Sequence, residues 1–262
     1  MSKRVSVKTV YDWLNEIAPF ETAESYDNVG LLIGSMNGHA ERILVALDAT
    51  PEVVQEALDL DAQLIITHHP LMFGGIKRLL YDQYEGGVIT ALVQNGMHLI
   101  AAHTNLDQSA QLSGTACLAR RLGLQNLRQE GFVFVGDLPE GEMNAELLRQ
   151  KIALAEDDAV YMFGNAQCKI KTLGICGGAY DGGYEQARAL GAQAYLTGEV
   201  KHHNAIAAAA TGFVLYQGGH FGTENPLVSE LAKALQNKLN ELQYSVTVYP
   251  SRCNPYGAQK GN

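Results

Sequence analysis

Two adjacent imidazoles, His68 and His69, follow the apolar run Leu64 to Thr67, and Pro70 then fixes the direction in which the chain leaves. Further on, His103 is followed four residues later by Asp107, and His220 four residues later by Glu224. Imidazole nitrogens and carboxylate oxygens with no thiolate form a donor set suited to Zn, Fe, Mn, Ni or Co. On an extended backbone, neighbouring side chains point to opposite sides, so the His68 and His69 pair is expected to serve two ions more readily than to chelate one. Each residue also has a plain structural explanation. The two histidines fit as loop residues bonded to backbone, and Asp107 fits as the cap of a helix expected over Ser109 to Leu122. Glu224 precedes a helix with Pro226 in its first turn and Leu227, Leu231, Leu235 and Leu239 on one face, where the helix dipole favours a carboxylate. Singly these explanations suffice; jointly the pairs point to a metal.

The elements that position these residues alternate. Val7, Val10, Tyr11, Leu14 and Ile17 have helical spacing that Pro19 terminates, and Asp27, Asn28 and Gly30 mark a turn before Leu31 to Ile33. Strands at Ile43 to Leu47 and Leu64 to Thr67 flank a helix over Pro51 to Leu60. This alternation implies an α/β fold with mainly parallel sheets and helices on both faces. DAQLIITHH at 61–69 aligns with GAQAYLTGE at 191–199, an offset of 130. The upstream strand and helix match a strand over Leu173 to Gly177 and a helix over Glu185 to Leu190. AHTNLD at 102–107 aligns with GHFGTE at 219–224 at an offset of 117, because the first copy carries an extra loop around Phe73 to Gly87. His103 and Asp107 therefore correspond to His220 and Glu224. Two similar α/β lobes are expected, residues 1–128 and 129–250, facing each other across a cleft, followed by a tail over 251–262 that is loose at its end. His68, His69, His103, His202, His203 and His220, with Asp107, Glu199 and Glu224, all fall just beyond strand C-termini, where open parallel sheets bind ligands.

Composition narrows the partners. The 262 residues carry 28 acidic and 19 basic side chains, a formal charge of -9, which argues against a surface track for nucleic acid. With 47% hydrophobic and 18% charged residues the chain is globular rather than disordered. The opening MSKRVSVKTVYDWLNEI has no continuous apolar stretch, and no run approaches a membrane span, so a cytoplasmic protein with no membrane partner is expected. Cys117, Cys168, Cys176 and Cys253 form no CxxC pair and are expected to be reduced, mostly buried thiols.

The segments SYDNVGLLIGS (25–35), ITHHPLMF (66–73), AAHTNLD (101–107), YLTGEVKHH (195–203) and GGHFGTE (218–224) resemble, in this order and essentially end to end, the type 2 GTP cyclohydrolase I homologue family, also called Nif-three-like. The resemblance implies a centre of two divalent metal ions in the cleft between the lobes, held by His68, His69, Asp107, His220 and Glu224. It places His103, Glu199 and His203 near the centre as catalytic or substrate groups. It further implies a toroidal homohexamer, a trimer of dimers whose cavity holds the sites, and a member without an extra domain between its halves. One departure is Gly177-Gly178-Ala179-Tyr180, where many relatives continue with glycine, so the pocket shape at Tyr180 differs from theirs.

Five ligands on two cations leave open coordination positions, the mark of a catalytic rather than a structural site. Two ions about 3.5 to 4 Å apart can share and activate a water. Two carboxylates and a hydroxide do not neutralise two divalent ions, so a small anionic substrate is favoured. The first functional reading is a metal-dependent hydrolase acting on a nucleotide or pterin-like phosphorylated heterocycle, with His103, His203 or Glu199 as general acid or base. The turn Gly177 to Gly183 would seat a phosphate in this reading, and is otherwise a plain strand-to-helix turn. The second reading is a non-catalytic metal-binding, metal-delivery or regulatory ring protein. No GxxxxGK[ST] motif decides between them.

Overall fold

The computed structural model describes residues 3–156, 159–180 and 182–256. The chain divides into two compact units, Met1–Ser109 with Val228–Asn262, and Ala110–Leu227. The division thus falls before the helix that begins at Gly114, not at the 128/129 position expected from the repeat, and the chain after Val228 returns to the first unit.

In the first unit a short strand β1 (Val5–Ser6) runs into helix α1 (Val7–Ile17), where Ser6 Oγ accepts from the Thr9 amide at 3.1 Å. The α1 stripe Val7, Val10, Trp13 and Leu14 is buried. Strands β2 (Gly30–Ile33), β3 (His39–Ala40) and β4 (Arg42–Ala46) lead to helix α2 (Pro51–Asp59), which Thr50 caps and Pro51 opens. Strand β5 (Leu64–Thr67), helix α3 (Tyr84–Gln94), strand β6 (His98–Ala101) and the single turn α4 (Thr104–Asp107) follow. Strands β4, β5 and β6 are parallel neighbours, β2 adds antiparallel to β6, and Thr247–Pro250 adds parallel to β4. Leu44, Ile65 and Leu99 pack against Val53, Val54 and Ala57 of α2 and Val88, Ile89 and Leu92 of α3. Their alternates Ile43, Val45, Leu64, Ile66 and Ile100 are buried as well, the continuous apolar pattern of strands covered on both faces.

The second unit opens with helix α5 (Gly114–Arg121), strands β7 (Gln125–Glu130), β8 (Val133–Asp137) and β9 (Met143–Asn144), and helix α6 (Ala145–Glu156). It continues through β10 (Tyr161–Phe163), β11 (Lys169–Ile170), β12 (Thr172–Cys176), α7 (Gly183–Ala189), β13 (Ala194–Thr197), α8 (His202–Ala210), β14 (Val214–Gln217) and the turn α9 (His220–Glu224). Helix α10 (Pro226–Glu241) and strand β15 (Thr247–Pro250) complete the chain. The six-stranded sheet has the order β10-β14-β13-β12-β8-β7. Only β12, β13 and β14 are mutually parallel; β7, β8 and β10 flank them antiparallel. One face packs Leu173, Ile175, Ala194 and Leu196 with residues of α5 and α6, and the other packs Cys176 and Tyr195 with Ala187 of α7 and Ala208 of α8.

The internal repeat reaches further upstream than the matched peptides. In each unit a two-residue strand runs straight into a helix, β1 into α1 and β9 into α6, and pairs antiparallel with a second two-residue strand, β1 with β3 and β9 with β11. The loops after β2 and β10 both turn on a glycine, Gly34 at φ +108 and Gly164 at φ +123, a region that side chains with a Cβ rarely enter. Between β5 and β6 the first unit alone carries a long exposed run, Phe73 to Glu85. No helix among the described residues is long and apolar enough to cross a membrane. All four cysteines lie outside disulfides, Cys117 and Cys176 buried and Cys168 and Cys253 half-buried. The end of the tail, residues 257–262, lies outside the described residues.

Candidate metal centre

The register of the first sheet sets the first half of the site. Thr67 of β5 is opposite both Ala46 of β4 and Ala101 of β6, so His68 emerges beside Ala102. The strand ends at Thr67 and the chain bends, with the His68 amide donating to Ala46 O at 3.2 Å and the His69 amide to Leu47 O at 2.9 Å. The expectation that the two imidazoles diverge, drawn from an extended backbone, is therefore corrected. Their ring centroids lie 5.0 Å apart, and that of His103 lies 5.1 Å from His68 and 5.3 Å from His69. One nitrogen from each of the three rings falls within 4.8 Å of the other two, a spacing that can hold a cation.

Each ring is held by its other nitrogen. His68 Nδ1 lies 2.9 Å from Ala102 O, His69 Nδ1 2.8 Å from Asp48 Oδ1, and His103 Nδ1 3.1 Å from Asp27 Oδ1. A carbonyl or an ionised carboxylate only accepts, so Nδ1 donates in all three and Nε2 carries the lone pair. Fixing the tautomer in this way is how metal-binding histidines are ordinarily supported. His98 shows the opposite arrangement: its Nδ1 accepts from the Ser35 amide at 3.2 Å, and burial lowers its pKa.

Two carboxylates complete this half. Burial alone would raise the Asp27 pKa, but hydrogen bonds from His103 and from the hydroxyl and amide of Thr104 outweigh it and hold the carboxyl well below the usual range. Asp107 ends α4 with Oδ1 3.5 Å from His68 Nε2. It caps no helix: α5 begins at Gly114, and its cap is Ser113, whose Oγ accepts from the Ala116 amide at 3.0 Å. The helix expected from Ser109 thus starts later than NLDQS suggested.

The second unit repeats the pattern. His220 opens α9 and its Nδ1 donates to Glu199 Oε1 at 2.7 Å, while Nε2 lies 3.1 Å from Glu224 Oε2. Glu224 closes that turn and is buried, two positions ahead of Pro226, where α10 begins. Gly177 and Gly178 lie against it. Gly178 has φ +64, and a Cβ there would run into the Glu224 carboxylate and His220 Nε2. The amides of Gly177, Gly178 and Gly183 donate to Thr115 Oγ1, Thr223 Oγ1 and Tyr180 O, so these three are already engaged and do not form the expected phosphate seat. Asp181 of that turn lies outside the described residues. The Tyr180 ring stands edge-on to Phe132, centroids 5.4 Å apart.

Of the residues expected to act beside the metals, His103 is not separable from His68 and His69 by geometry, and Glu199 is engaged by His220. His203 is exposed in the first turn of α8 and belongs to neither half as described. Sequence reasoning missed Asp48 and Asp27. Asp48 lies two residues beyond β4, the same kind of position that singled out the histidines. Asp27 follows no strand and carried no such signal.

The family Duf34/NIF3 (NGG1p interacting factor 3) matches residues 5–255. The chain is similar to a Helicobacter pylori protein called GTP cyclohydrolase 1 type 2, 31% identical over 92% of this chain and 95% of that one. It is also similar to a Clostridium acetobutylicum GTP cyclohydrolase 1 type 2 homolog, 26% identical over 96% and 98%. A crystal structure of a hypothetical protein from Staphylococcus aureus superposes with a TM-score of 0.92 at 29% identity, covering 97% of this chain and 98% of that one. With nearly the whole chain matched and the histidine segments inside that match, the protein belongs to the Duf34/NIF3 family.

Proposed function

We propose that the protein binds two divalent cations, Zn, Fe, Mn, Ni or Co, through His68, His69, Asp107, His220 and Glu224, and is a metal-dependent hydrolase of a nucleotide or pterin-like phosphorylated heterocycle. The observation that carries this reading is the shared anchoring of four imidazoles, in both units, through Nδ1 onto Ala102 O, Asp48, Asp27 and Glu199. Rings fixed in this tautomer present Nε2 as a lone-pair donor, the form a metal requires at His68, His69 and His220. The ions would supply Lewis acidity and an activated water for attack at an electrophilic carbon or phosphorus.

The chain's own residues do the rest. Asp48, Asp27 and Glu199 hold ring orientation, so the donors need no rearrangement on binding. His103, with its Nδ1 proton held by Asp27, is suited to accept a proton at Nε2 from an attacking group and return it to a leaving group. Glu199, expected as an acid or base, acts first as the positioning carboxylate of His220. Exposed His203 is the residue left to meet an anionic substrate. The relatives named GTP cyclohydrolase 1 type 2 favour a purine nucleotide, and the same reading takes the assembly as a toroidal homohexamer, a trimer of dimers.

The test is to load the purified protein with each metal in turn and assay GTP, other nucleotides and cyclic phosphodiesters, following activity across size-exclusion fractions. Turnover that coelutes with the protein and falls at least about a hundredfold in His69→Ala supports the hydrolase. No turnover with any metal, despite stoichiometric binding, leaves the protein as a metal-binding or metal-delivery component.

A further inference from the structure

Two exposed aromatic residues are tied to the first half of the site through the same three-residue stretch, 26–28. Tyr26 is 64% exposed and Phe73 53% exposed. Between them, Asp27 accepts a hydrogen bond from His103 Nδ1, and Asn28 Nδ2 donates to Met72 O at 2.6 Å, fixing the backbone next to Phe73. The Phe73 ring stands edge-on to His103 with centroids 5.8 Å apart. Tyr26 is joined directly to Asp27 in the chain, and partial burial, followed by the charges of Glu24, Asp27 and Asp107, raises its pKa.

Single exposed aromatics are ordinary, but two bound to one histidine cluster through consecutive residues are not scattered surface. Phe73 also begins the exposed run that the second unit lacks, and that run carries Lys77 and Arg78 in a chain of net charge -9. Exposed aromatic faces suit a planar ring, and cations on the same exposed run suit its phosphate. We infer that Phe73 and Tyr26 are specificity-determining residues that stack the heterocycle of a phosphorylated substrate against the histidine cluster. This deepens the hydrolase reading by naming what recognises the ring, and it rests on that reading only for the chemistry that follows binding.

The experiment compares binding of guanosine 5′-monophosphate and ribose 5-phosphate, which share the phosphate and sugar and differ in the ring, to the full-length zinc-treated protein by calorimetry. Zinc content and elution volume are measured on the same samples. Wild type is expected to bind the nucleotide at least about tenfold more tightly, in line with base stacking on an aromatic side chain. Phe73→Ala and Tyr26→Ala should each erase most of that preference, and Phe73→Trp should keep it. Ribose 5-phosphate affinity, zinc content and elution volume should stay unchanged throughout. Equal affinity for the two probes, no binding of the nucleotide, or alanine variants that keep the preference would overturn the inference. So would variants that change zinc content or elution volume in place of the preference. A ring preference that persists in protein retaining no zinc supports the stacking role and counts against the hydrolase alone.

Discussion

His69 Nδ1 donates to Asp48 Oδ1 at 2.8 Å, so Asp48 would act on the proposed metal through that ring. Asp48→Ala frees the imidazole to rotate and to change tautomer. It is expected to weaken metal binding about 10- to 100-fold in a chelator competition, with the thermal midpoint of the metal-free protein little changed. Unchanged affinity would show that the carboxylate does not set the donor.

Asp107 and Ser113 separate the two explanations of the segment between α4 and α5. In metal-free protein Ser113→Ala should cost about 1 kcal/mol, because it removes the acceptor for the Ala116 amide. Asp107→Ala should cost less than about 0.5 kcal/mol in the same denaturant titration and yet lower metal affinity. The reverse order would return Asp107 to a capping role.

Much of this architecture can be read from the chain because its strands and helices obey simple periodicities. Val7 to Ile17 and Leu64 to Thr67 form a helix and a strand at the very residues their patterns indicate. The histidines proposed as ligands could be singled out because parallel strands deliver their ends to one edge. Where local chemistry offered two answers, pattern alone chose badly. NLDQS reads as a helix start, yet the helix waits for Ser113, and an HH pair at a strand end reads as divergent although the chain bends there. Asp27 lies 76 residues from the ring it holds, a tertiary relation that no local spacing encodes.

Gly178 shows how closely the backbone approaches the carboxylate. At φ +64, with the Glu224 side chain where a Cβ would project, Gly178→Ala should destabilise the protein by more than about 1 kcal/mol and displace Glu224. Denaturant midpoint and metal affinity should both fall. A variant neutral in both would mean that Glu224 lies elsewhere in solution.

Asp27 predicts a pH signature. Its folded pKa lies below the unfolded value of about 4, so the folded state binds fewer protons and the carboxylate stabilises the fold above that value. The contribution is lost as pH falls through the folded value. In metal-free protein Asp27→Asn should therefore be less stable than wild type at pH 7, with the gap closing as pH falls from about 5 towards 2. Urea titrations across that range check this; a gap independent of pH would contradict it.

The most direct measurement is the metal content of the purified protein after dialysis, read by elemental mass spectrometry beside the His68→Ala and Glu224→Ala variants. Two divalent ions per chain are expected in wild type and a loss of at least one in each variant, with each variant still folded by circular dichroism. Wild type without bound metal after loading, or variants that keep the full wild-type content, would contradict it.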